Sequence, residues 1–244
     1  MTACSIGTCT LGSIPRVVAI IDRVIGLQEL QKLESRGTDI LEIRVDSLDI
    51  GDKALCDYIK QLRAVTTCGL IGTVRDNART TNRRLEIFKC IIPLVDAIDI
   101  EIDADINAQV ISLAQGKTVI VSEHDYDVMP DDIDLKRIVD TAIKQGAHIV
   151  KIAAMANSRM DVVRLLEFTQ SCSENLVSIA MGDEGTISRI TAPLFGSLFA
   201  YGFIEDAVAP GQLPVWKLIE ELRMYYPAYD EYCVKRFAKK QTGQ

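Results

Sequence analysis

Residues 147–155 of the 244-residue chain have the sequence A-H-I-V-K-I-A-A-M. An apolar, partly β-branched segment of this length is typical of a buried strand, and Lys151 lies at its centre. Burial disfavours the ammonium form, so the pKa of Lys151 is expected to fall, and a neutral amine is the form that attacks a carbonyl carbon to give a Schiff base. The alternative is a lysine whose stem packs in the strand while its head reaches water or a carboxylate.

Seven other apolar segments of strand length accompany this one, and helical patterns lie between them. Eight strands that alternate with helices, with no internal linker, predict the α/β class and a single (β/α)8 TIM barrel spanning residues 1–244. An open doubly wound sheet is the alternative, but no G-x-G-x-x-G follows the first strand. The other strands are predicted at 17–21, 39–45, 69–74, 97–102, 118–122, 176–181 and, more weakly, 197–203, and helices include 27–35, 54–64, 84–92, 133–144 and 158–172.

Both ends of the chain differ in composition from the repeating part. The N-terminal arm, about residues 1–14, is small and polar, and predicts a hairpin or a loose arm. The C-terminal extension, about residues 223–244, predicts a terminal helix or a partly disordered segment that contacts a partner subunit. It first carries tyrosines and then basic residues, namely Tyr225, Tyr226, Tyr229, Tyr232, Lys235, Arg236, Lys239 and Lys240.

The composition excludes several classes of function. With 27 basic and 34 acidic residues the formal net charge is −7, which argues against a nucleic-acid or anionic-membrane partner. No apolar segment approaches the roughly 20 residues that span a bilayer, and the first residues lack a charged signal-peptide region. Two histidines exclude a His-rich metal site, although the carboxylates leave a hard-cation site open. Seven cysteines without a C-x-x-C pair predict reduced thiols and a cytoplasmic location.

Charged side chains share one face of two predicted strands. In 39–45 the apolar residues alternate with Glu42 and Arg44, and in 97–103 the isoleucines alternate with Asp99, Glu101 and Asp103. In a closed barrel the apolar face contacts the helices and the other face lines the interior. The alternatives are a structural ion pair between Glu42 and Arg44, or a strand face in water.

Other strands also carry or lead to polar residues near their carboxyl ends. Arg75 and His124 follow two strands, Lys151 lies within a third, and the strand at 176–181 leads to Arg189. Because barrel enzymes build their active sites at the C-terminal rim, this convergence predicts an active site there. A neutral imidazole suits proton transfer near pH 7, and arginine suits a bidentate contact with a carboxylate.

Six short motifs in order complete the pattern. They are E-I-R-V-D (42–46), G-T-V-R (72–75), S-E-H-D (122–125), V-K-I-A (150–153), A-M-G-x-x-G-x-x-S-R (180–189) and A-P-G-Q (209–212). With these six motifs in this order, the chain resembles the type I 3-dehydroquinate dehydratase family over about residues 15–214.

The resemblance implies a barrel, often dimeric, that converts 3-dehydroquinate to 3-dehydroshikimate in the shikimate pathway of aromatic amino acid biosynthesis without a metal or cofactor. Lys151 matches the family's Schiff-base lysine and His124 its general acid and base. A further set matches substrate-binding positions: Glu42, Arg44 and Arg75 on the early strands, Arg189 for the substrate carboxylate, and Gln212 on a closing loop. Pro210 and Gly211 are expected to let that loop close over the site.

The chain departs from the family pattern at two positions. Arg79 occupies a position that is often acidic in the family and orients the histidine, so Asp76 or Asp125 is a candidate for that role. Val208 replaces a serine that often precedes the A-P-G-Q motif, so one contact with a substrate hydroxyl is expected to be missing or replaced. Neither change affects Lys151 or His124.

Two other functions fit part of the pattern. A class I aldolase also uses a Schiff-base lysine, and Gly182 and Gly185 would then form a phosphate-binding loop. A barrel that binds shikimate-type acids without turnover belongs to a different class, and loss of Lys151 or His124 would have indicated it.

Overall fold

The computed structural model describes residues 4–242, without the side chains of residues 237 and 239–242. Eight parallel strands form its centre. They are β3 (Val17–Ile21), β4 (Ile40–Arg44), β5 (Gly69–Thr73), β6 (Ala97–Glu101), β7 (Thr118–Asp125), β8 (Ile149–Met155), β9 (Leu176–Met181) and β10 (Ala200–Phe203). Two short strands, β1 (Ser5–Ile6) and β2 (Cys9–Thr10), precede them, and β11 (Leu213–Pro214) follows.

The strands curl into a barrel because each strand from β3 to β8 pairs with the next and β10 pairs in parallel with β3. Two hydrogen bonds join β9 to the segment that precedes β10. Leu198 N donates to Leu176 O at 3.0 Å, and Ser178 N donates to Ser197 Oγ at 3.1 Å. The predicted (β/α)8 fold is confirmed. Strand β7 extends three residues beyond its predicted end, because its pairing with β8 continues to Asp125.

Helices cover the outside of this sheet. They are α1 (Leu27–Arg36), α2 (Asp52–Val65), α3 (Arg84–Ile91), α4 (Asn107–Leu113), α5 (Asp132–Gln145), α6 (Arg159–Ser171), α7 (Ser188–Thr191), α8 (Val215–Tyr225) and α9 (Pro227–Thr242). Ser158 and Asp161 form a capping box at the start of α6, and Gly146 ends α5 in the left-handed conformation. Across residues 4–242, none of the helices has the length and apolar character to cross a membrane.

Strand alternation divides the apolar residues into two cores. On β8, Val150 and Ile152 point outward and pack with the helices, whereas Ile149 and Ala153 belong to a second core inside the barrel. Lys151 lies between those two inward residues and therefore points into the barrel. The same alternation turns the charged faces of β4 and β6 inward.

The N-terminal end of the barrel is closed by both ends of the chain. The β1–β2 hairpin places the fully buried Ile6 in the inner core, and Thr118 Oγ1 donates to Ser5 O at 2.7 Å. The tail that the sequence left undecided is helix α9, whose Tyr229 and Cys233 are fully buried. Residues 1–3 of the arm, residues 243–244, and the side chains of Lys239 and Lys240 lie outside the described residues.

The prediction that all seven cysteines are reduced is wrong for one pair. Cys56 on α2 and Cys90 on α3 form a disulfide, with their Cα atoms 6.8 Å apart. The two helices pack side by side, and a separation of 34 residues carries no sequence signal for this contact. The free cysteines are Cys4, Cys9, Cys68, Cys172 and Cys233.

Candidate active site

A cavity of about 350 Å³ lies at the C-terminal end of the barrel. Its lining includes every residue that the sequence analysis placed in the site: Lys151, His124, Glu42, Arg44, Arg75, Arg189 and Gln212. The structure therefore brings together side chains from six strands or their following segments. The cavity is also lined by Ile20, Glu101, Tyr126, Ala153, Ile179, Met181, Tyr201, Val208 and Ala209.

Lys151 is buried but does not lie in apolar surroundings. Its Nζ donates to Asp99 Oδ2 at 2.9 Å and lies 3.7 Å from Glu42 Oε2. The ring of Tyr201 faces the same ammonium, with its centroid 4.3 Å from Nζ. Packing of the lysine stem against an apolar strand, and contact of its head with carboxylates, are thus both observed.

Asp99 is the carboxylate at the centre of the polar network. Its Oδ1 accepts from Arg75 Nη2 at 2.8 Å and from Ser122 Oγ at 2.6 Å, while Oδ2 accepts from Lys151. Complete burial alone would raise the pKa of Asp99, but the charges of Arg75 and Lys151, with a smaller contribution from His124, hold that pKa well below its usual range. Asp99 is therefore a stable anion that fixes the two cations.

The remaining charges on the early strands are also paired. Glu42 Oε1 accepts from Thr73 Oγ1 at 2.8 Å, and Arg44 makes a two-point contact with Asp46 at 3.1 and 2.7 Å. Arg75 also approaches Glu101 at 3.4 Å. Glu42 Oε2 is different, because it is buried at the cavity and has no hydrogen-bond partner among the described residues.

His124 is half-buried at the end of β7 and lines the cavity. Burial first, and then the positive charges of Arg75 and Lys151, lower its pKa well below 6.5, against an opposing contribution from Asp99. The imidazole is therefore neutral near pH 7 and able to accept a proton. Tyr126 stacks beside it, with the ring centroids 6.3 Å apart and the planes at 17°.

Neither residue suggested as the partner of His124 contacts it. Asp76 accepts from Thr81 Oγ1 at 2.7 Å, and Asp125 accepts from the backbone of Asp127 and Val128 at 2.9 Å. Arg79 points to the segment after β4, where it pairs with Asp49 at 3.1 Å. Within residues 4–242 no hydrogen bond to the imidazole is found, and the ring of Tyr126 is the aromatic group stacked on it.

Arg189 is the cavity-lining arginine that lacks a carboxylate. Arg44 and Arg75 each pair with acidic side chains, whereas Arg189, only 3% exposed, makes no ion pair within the described part of the chain. Its Nη2 donates to Pro210 O at 3.2 Å, and its buried Nε has no partner there. Burial lowers the pKa of Arg189 to about 10, which leaves it charged near pH 7. This guanidinium is suited to an anionic group entering the cavity.

The loop between β10 and β11 lies over the cavity. Gln212 Oε1 accepts from Val208 N at 2.9 Å, and Gly182 N donates to Pro210 O at 3.3 Å. Gly211 has φ +70°, and an added Cβ would lie 2.3 Å from Gly182 O, so this close approach requires glycine. The loop is thus attached both to Arg189 and to the segment after β9.

Sequence reasoning did not place Asp99, Ser122 and Tyr201 in the site. The inward face of β6 indicated the position of Asp99, but not its bonds to residues of two other strands. Tyr201 lies on the weakest predicted strand, so its direction was not evident. No group of three or more His, Cys, Asp or Glu that would hold a metal ion is found in the described residues.

The site can be compared with proteins of known family. A family model for type I 3-dehydroquinase matches residues 18–228. A 3-dehydroquinate dehydratase from Methanococcoides burtonii is 36% identical over 230 residues, covering 90% of this chain and 98% of that protein. The matched region contains all seven of the residues predicted for the site.

Solved structures agree with this likeness. The 3-dehydroquinate dehydratase of Aquifex aeolicus superposes with a TM-score of 0.77 at 28% identity, covering 86% of this chain and 99% of that one. The type I enzyme of Clostridium difficile, crystallised with covalently modified comenic acid, superposes with a TM-score of 0.81 at 24% identity, covering 93% and 98%. The second likeness supports the barrel fold alone.

Proposed function

The chain belongs to the type I 3-dehydroquinase family, an enzyme family of the lyase class, and we propose that it converts 3-dehydroquinate to 3-dehydroshikimate through a Schiff base on Lys151. The observation that carries the proposal is Arg189. A buried guanidinium with no carboxylate partner among the described residues shares one cavity with a buried lysine and a neutral imidazole. That combination suits a substrate with both a ketone and a carboxylate.

The first step is attack by the Lys151 amine on the substrate ketone. The ammonium must first lose a proton, and two carboxylates lie beside it. Asp99 is a poor acceptor because Arg75 and Lys151 hold its pKa low, whereas Glu42 Oε2 has no hydrogen-bond partner in the described chain. Glu42 is therefore the better proton acceptor. The resulting iminium withdraws electrons from the neighbouring carbon and acidifies its C–H bond.

Proton transfer at that carbon falls to His124. Because its pKa is held well below 6.5, the imidazole is neutral at pH 7 and can remove the proton. The protonated imidazole that results is a strong acid in this setting, since Arg75 and Lys151 disfavour its charge. It therefore returns the proton readily to the departing hydroxyl, which leaves as water.

Substrate position depends on Arg189 and the loop. A carboxylate bound to Arg189 would lie next to Pro210 O, the carbonyl that already accepts from this arginine. Binding at Arg189 and closure of the loop containing Gln212 are therefore coupled. Glu42, Arg44 and Arg75 offer the polar groups that a polyhydroxylated ring requires.

The aldolase alternative is less well supported. A phosphate loop needs free backbone N–H groups, but Gly182 N donates to Pro210 O at 3.3 Å and Gly185 N donates to Gly182 O at 3.1 Å. Arg189 also suits a planar carboxylate. A binding protein without turnover is disfavoured because Lys151 and His124 line the same cavity.

The test is an ultraviolet assay for the conjugated enone formed from 3-dehydroquinate. We expect turnover in buffer treated with chelator at the same rate as in untreated buffer, because the proposed steps use only side chains of this chain. Activity that disappears with chelator and returns with a divalent ion would contradict a cofactor-free mechanism. Aldol cleavage without enone formation would favour the alternative.

We also propose that the enzyme is a cytoplasmic homodimer, as the family resemblance implies. Light scattering on the purified protein measures the subunit number. Disulfides are rare in reducing compartments, so the Cys56–Cys90 bond counts against a cytoplasmic location, and alkylation of both cysteines is the result that would support it. Mass spectrometry of protein isolated with a thiol-blocking reagent shows whether both residues are alkylated, as a reduced cytoplasmic pair would be.

A further inference from the structure

Tyr201 is a buried cavity residue that the steps above do not use. It lies on β10, is 2% exposed, and faces the same space as Lys151. Its ring centroid is 4.3 Å from Lys151 Nζ, but its hydroxyl has no hydrogen-bond partner among the described residues. Packing against the ammonium explains the ring. It does not explain a phenol oxygen, because burying a hydroxyl without a partner is unfavourable.

A second polar atom without a partner faces the same cavity. Glu42 Oε1 accepts from Thr73, whereas Oε2 has no hydrogen-bond partner in the described residues and lies 3.7 Å from Lys151 Nζ. Both the charge of Glu42 and hydrogen bonding toward it raise the pKa of Tyr201, so the phenol and this carboxylate face each other, although their geometry does not complete a hydrogen bond. A hydrogen-bond donor and an acceptor are thus available beside the amine. A ligand oxygen could accept from the phenol, and also from Glu42 once that carboxylate has taken a proton.

We propose that Tyr201 Oη and Glu42, once its Oε2 has taken the proton of the Lys151 ammonium, both donate to the ketone oxygen of the substrate and assist its departure as water when Lys151 forms the imine. This inference rests on the proposed function and names residues for its first step. Lys151 Nζ attacks the ketone carbon, and the ketone oxygen is bonded directly to that carbon. It therefore lies beside both unpartnered atoms.

The step balances as follows. Glu42 takes one proton from the ammonium, and the nitrogen lone pair forms the C–N bond while the C=O π pair moves to oxygen. Tyr201 donates a hydrogen bond to that developing oxyanion and keeps its own proton. The oxygen then receives one proton from the new C–N nitrogen and one from Glu42, and leaves as water as the C=N bond forms. The nitrogen retains one proton, and Glu42 is again a carboxylate.

The electrostatic setting of Tyr201 fits the role of a donor that stays protonated. Burial, followed by the negative charges of Glu42 and Asp99, raises the pKa of Tyr201 well above 10, against a smaller contribution from Arg75. The phenol consequently keeps its hydrogen near pH 7, where His124 is neutral. It can stabilise an oxyanion without exchanging its own proton.

Tyr201→Phe tests the proposal because it removes one oxygen and leaves the ring beside Lys151. Wild type and variant are mixed with 3-dehydroquinate, quenched with borohydride at increasing times, and the adduct is followed by mass spectrometry. We expect imine formation to slow by about 10²-fold, the lower end of the effect of removing one oxyanion donor. Tyr58→Phe is the matched control, because Tyr58 Oη contacts the backbone of Ile25 on another part of the barrel.

An imine that forms in Tyr201→Phe at the wild-type rate would overturn the proposal, because the ring alone would then suffice. If the variant does not fold, fluorotyrosine at position 201 replaces it. Fluorination lowers the phenol pKa, so imine formation should gain an alkaline limb where the phenol ionises, and an unchanged pH profile would contradict the role. A wild type that forms the imine but produces no enone would overturn the proposed function and leave the comparison at Tyr201 valid.

Discussion

The two ends of the barrel each bury an aspartate between two cations. At the C-terminal end, Asp99 contacts Arg75 at 2.8 Å and Lys151 at 2.9 Å. At the N-terminal end, Asp39 contacts Arg236 at 3.0 Å and Arg16 at 3.5 Å. Both carboxylates are fully shielded from solvent and each has two cationic neighbours. The residue types in the two clusters therefore do not show which cluster is functional and which is structural.

Their electrostatics and surroundings differ. Burial dominates at Asp39 and raises its pKa despite Arg16 and Arg236, whereas the cations dominate at Asp99 and lower its pKa. Asp39 also accepts from Tyr232 and the backbone of Val17, so its bonds connect the first strands to α9. Thr38 Oγ1 beside Asp39 also lacks a partner among the described residues, but it does not line the cavity, whereas the Asp99 network borders a cavity that unpartnered polar atoms face. Polar groups left open to a ligand, and not burial of charge, mark the active end.

The largest expected effect compares a lysine at each end of the barrel, Lys151 at the C-terminal end and Lys117 at the N-terminal end. Lys151→Ala should abolish both borohydride trapping and enone formation, because it removes the nucleophile. His124→Ala should retain some trapping and lose about 10²–10⁴-fold in turnover, the usual contribution of a placed proton-transfer group. Lys117→Ala is the control, since Lys117 binds Val95 O near the start of β7.

Peptide mapping of the reduced adduct supplies the decisive measurement. The mass should be found on the peptide that contains Lys151. An adduct on Lys117 or Lys144, or a Lys151→Ala protein with a substantial fraction of wild-type turnover, would remove Lys151 from the proposed role.

The next effect compares the two aspartates by the same substitution. Asp99→Asn leaves Lys151 and Arg75 without their buried carboxylate, so we expect a loss of about 3–5 kcal/mol in the free energy of unfolding and a collapse of turnover. Asp39→Asn also removes an unfavourably buried charge, so the loss in the free energy of unfolding should be smaller, about 1–3 kcal/mol. The folded Asp39→Asn protein should have a normal kcat. Urea unfolding and enone assays on both variants measure this. Equal loss of kcat would contradict the distinction between the ends.

The sequence predicted the barrel and its inward positions well, because alternation and strand length are local properties. Strand β8 follows from the pattern around Lys151, and the same rule places Glu42 and Asp99 inside the barrel. Helix α4 is only seven residues long, which is too short for a periodic pattern to identify. The alternation of strands with helices predicted a helix in this segment without giving its bounds.

What the sequence could not predict depends on contacts between distant segments. The apolar strand left open whether the head of Lys151 meets water or a carboxylate, and Asp99 from another strand is the carboxylate that it meets. The disulfide between Cys56 and Cys90 likewise needs the packing of two helices. The partner of His124 was sought among carboxylates near in sequence, whereas the ring of Tyr126 stacks on it. Such pairings follow from the barrel geometry and not from spacing.

A smaller effect compares two arginines. Arg189→Ala should weaken binding of substrate and product by roughly 10- to 150-fold, equivalent to about 1.5–3 kcal/mol for a charge-assisted hydrogen bond, with little change in stability. Arg236→Ala should lower the free energy of unfolding and leave binding of substrate and product unchanged, because Arg236 pairs with Asp39 and lies away from the cavity. KM, product inhibition and urea unfolding are measured for both. An unchanged KM and inhibition constant in Arg189→Ala would remove this residue from the carboxylate site.

The smallest expected effect is a pair of opposite pH dependences. The lowered pKa of Asp99 means that the unfolded chain binds more protons below about pH 3.9, so the stability that Asp99 contributes is complete above that pH and is lost as the pH falls through its folded pKa. The raised pKa of Asp39 means that the folded chain binds more protons than the unfolded chain between about pH 3.9 and the folded pKa of Asp39. The contribution of Asp39 to the free energy of unfolding therefore increases as the pH falls through that window. The difference in unfolding free energy between wild type and Asp39→Asn should therefore grow from pH 7 towards pH 4. The difference for Asp99→Asn should hold over that range and shrink below it. Urea titrations at intervals between pH 3 and 7 give both differences. His124 contributes equally to wild type and Asp39→Asn, whereas Asp99→Asn also lowers the pKa of His124, because the charge of Asp99 raises it. If both differences moved in the same direction, the two ends of the barrel would not differ in the balance between burial and ion pairing.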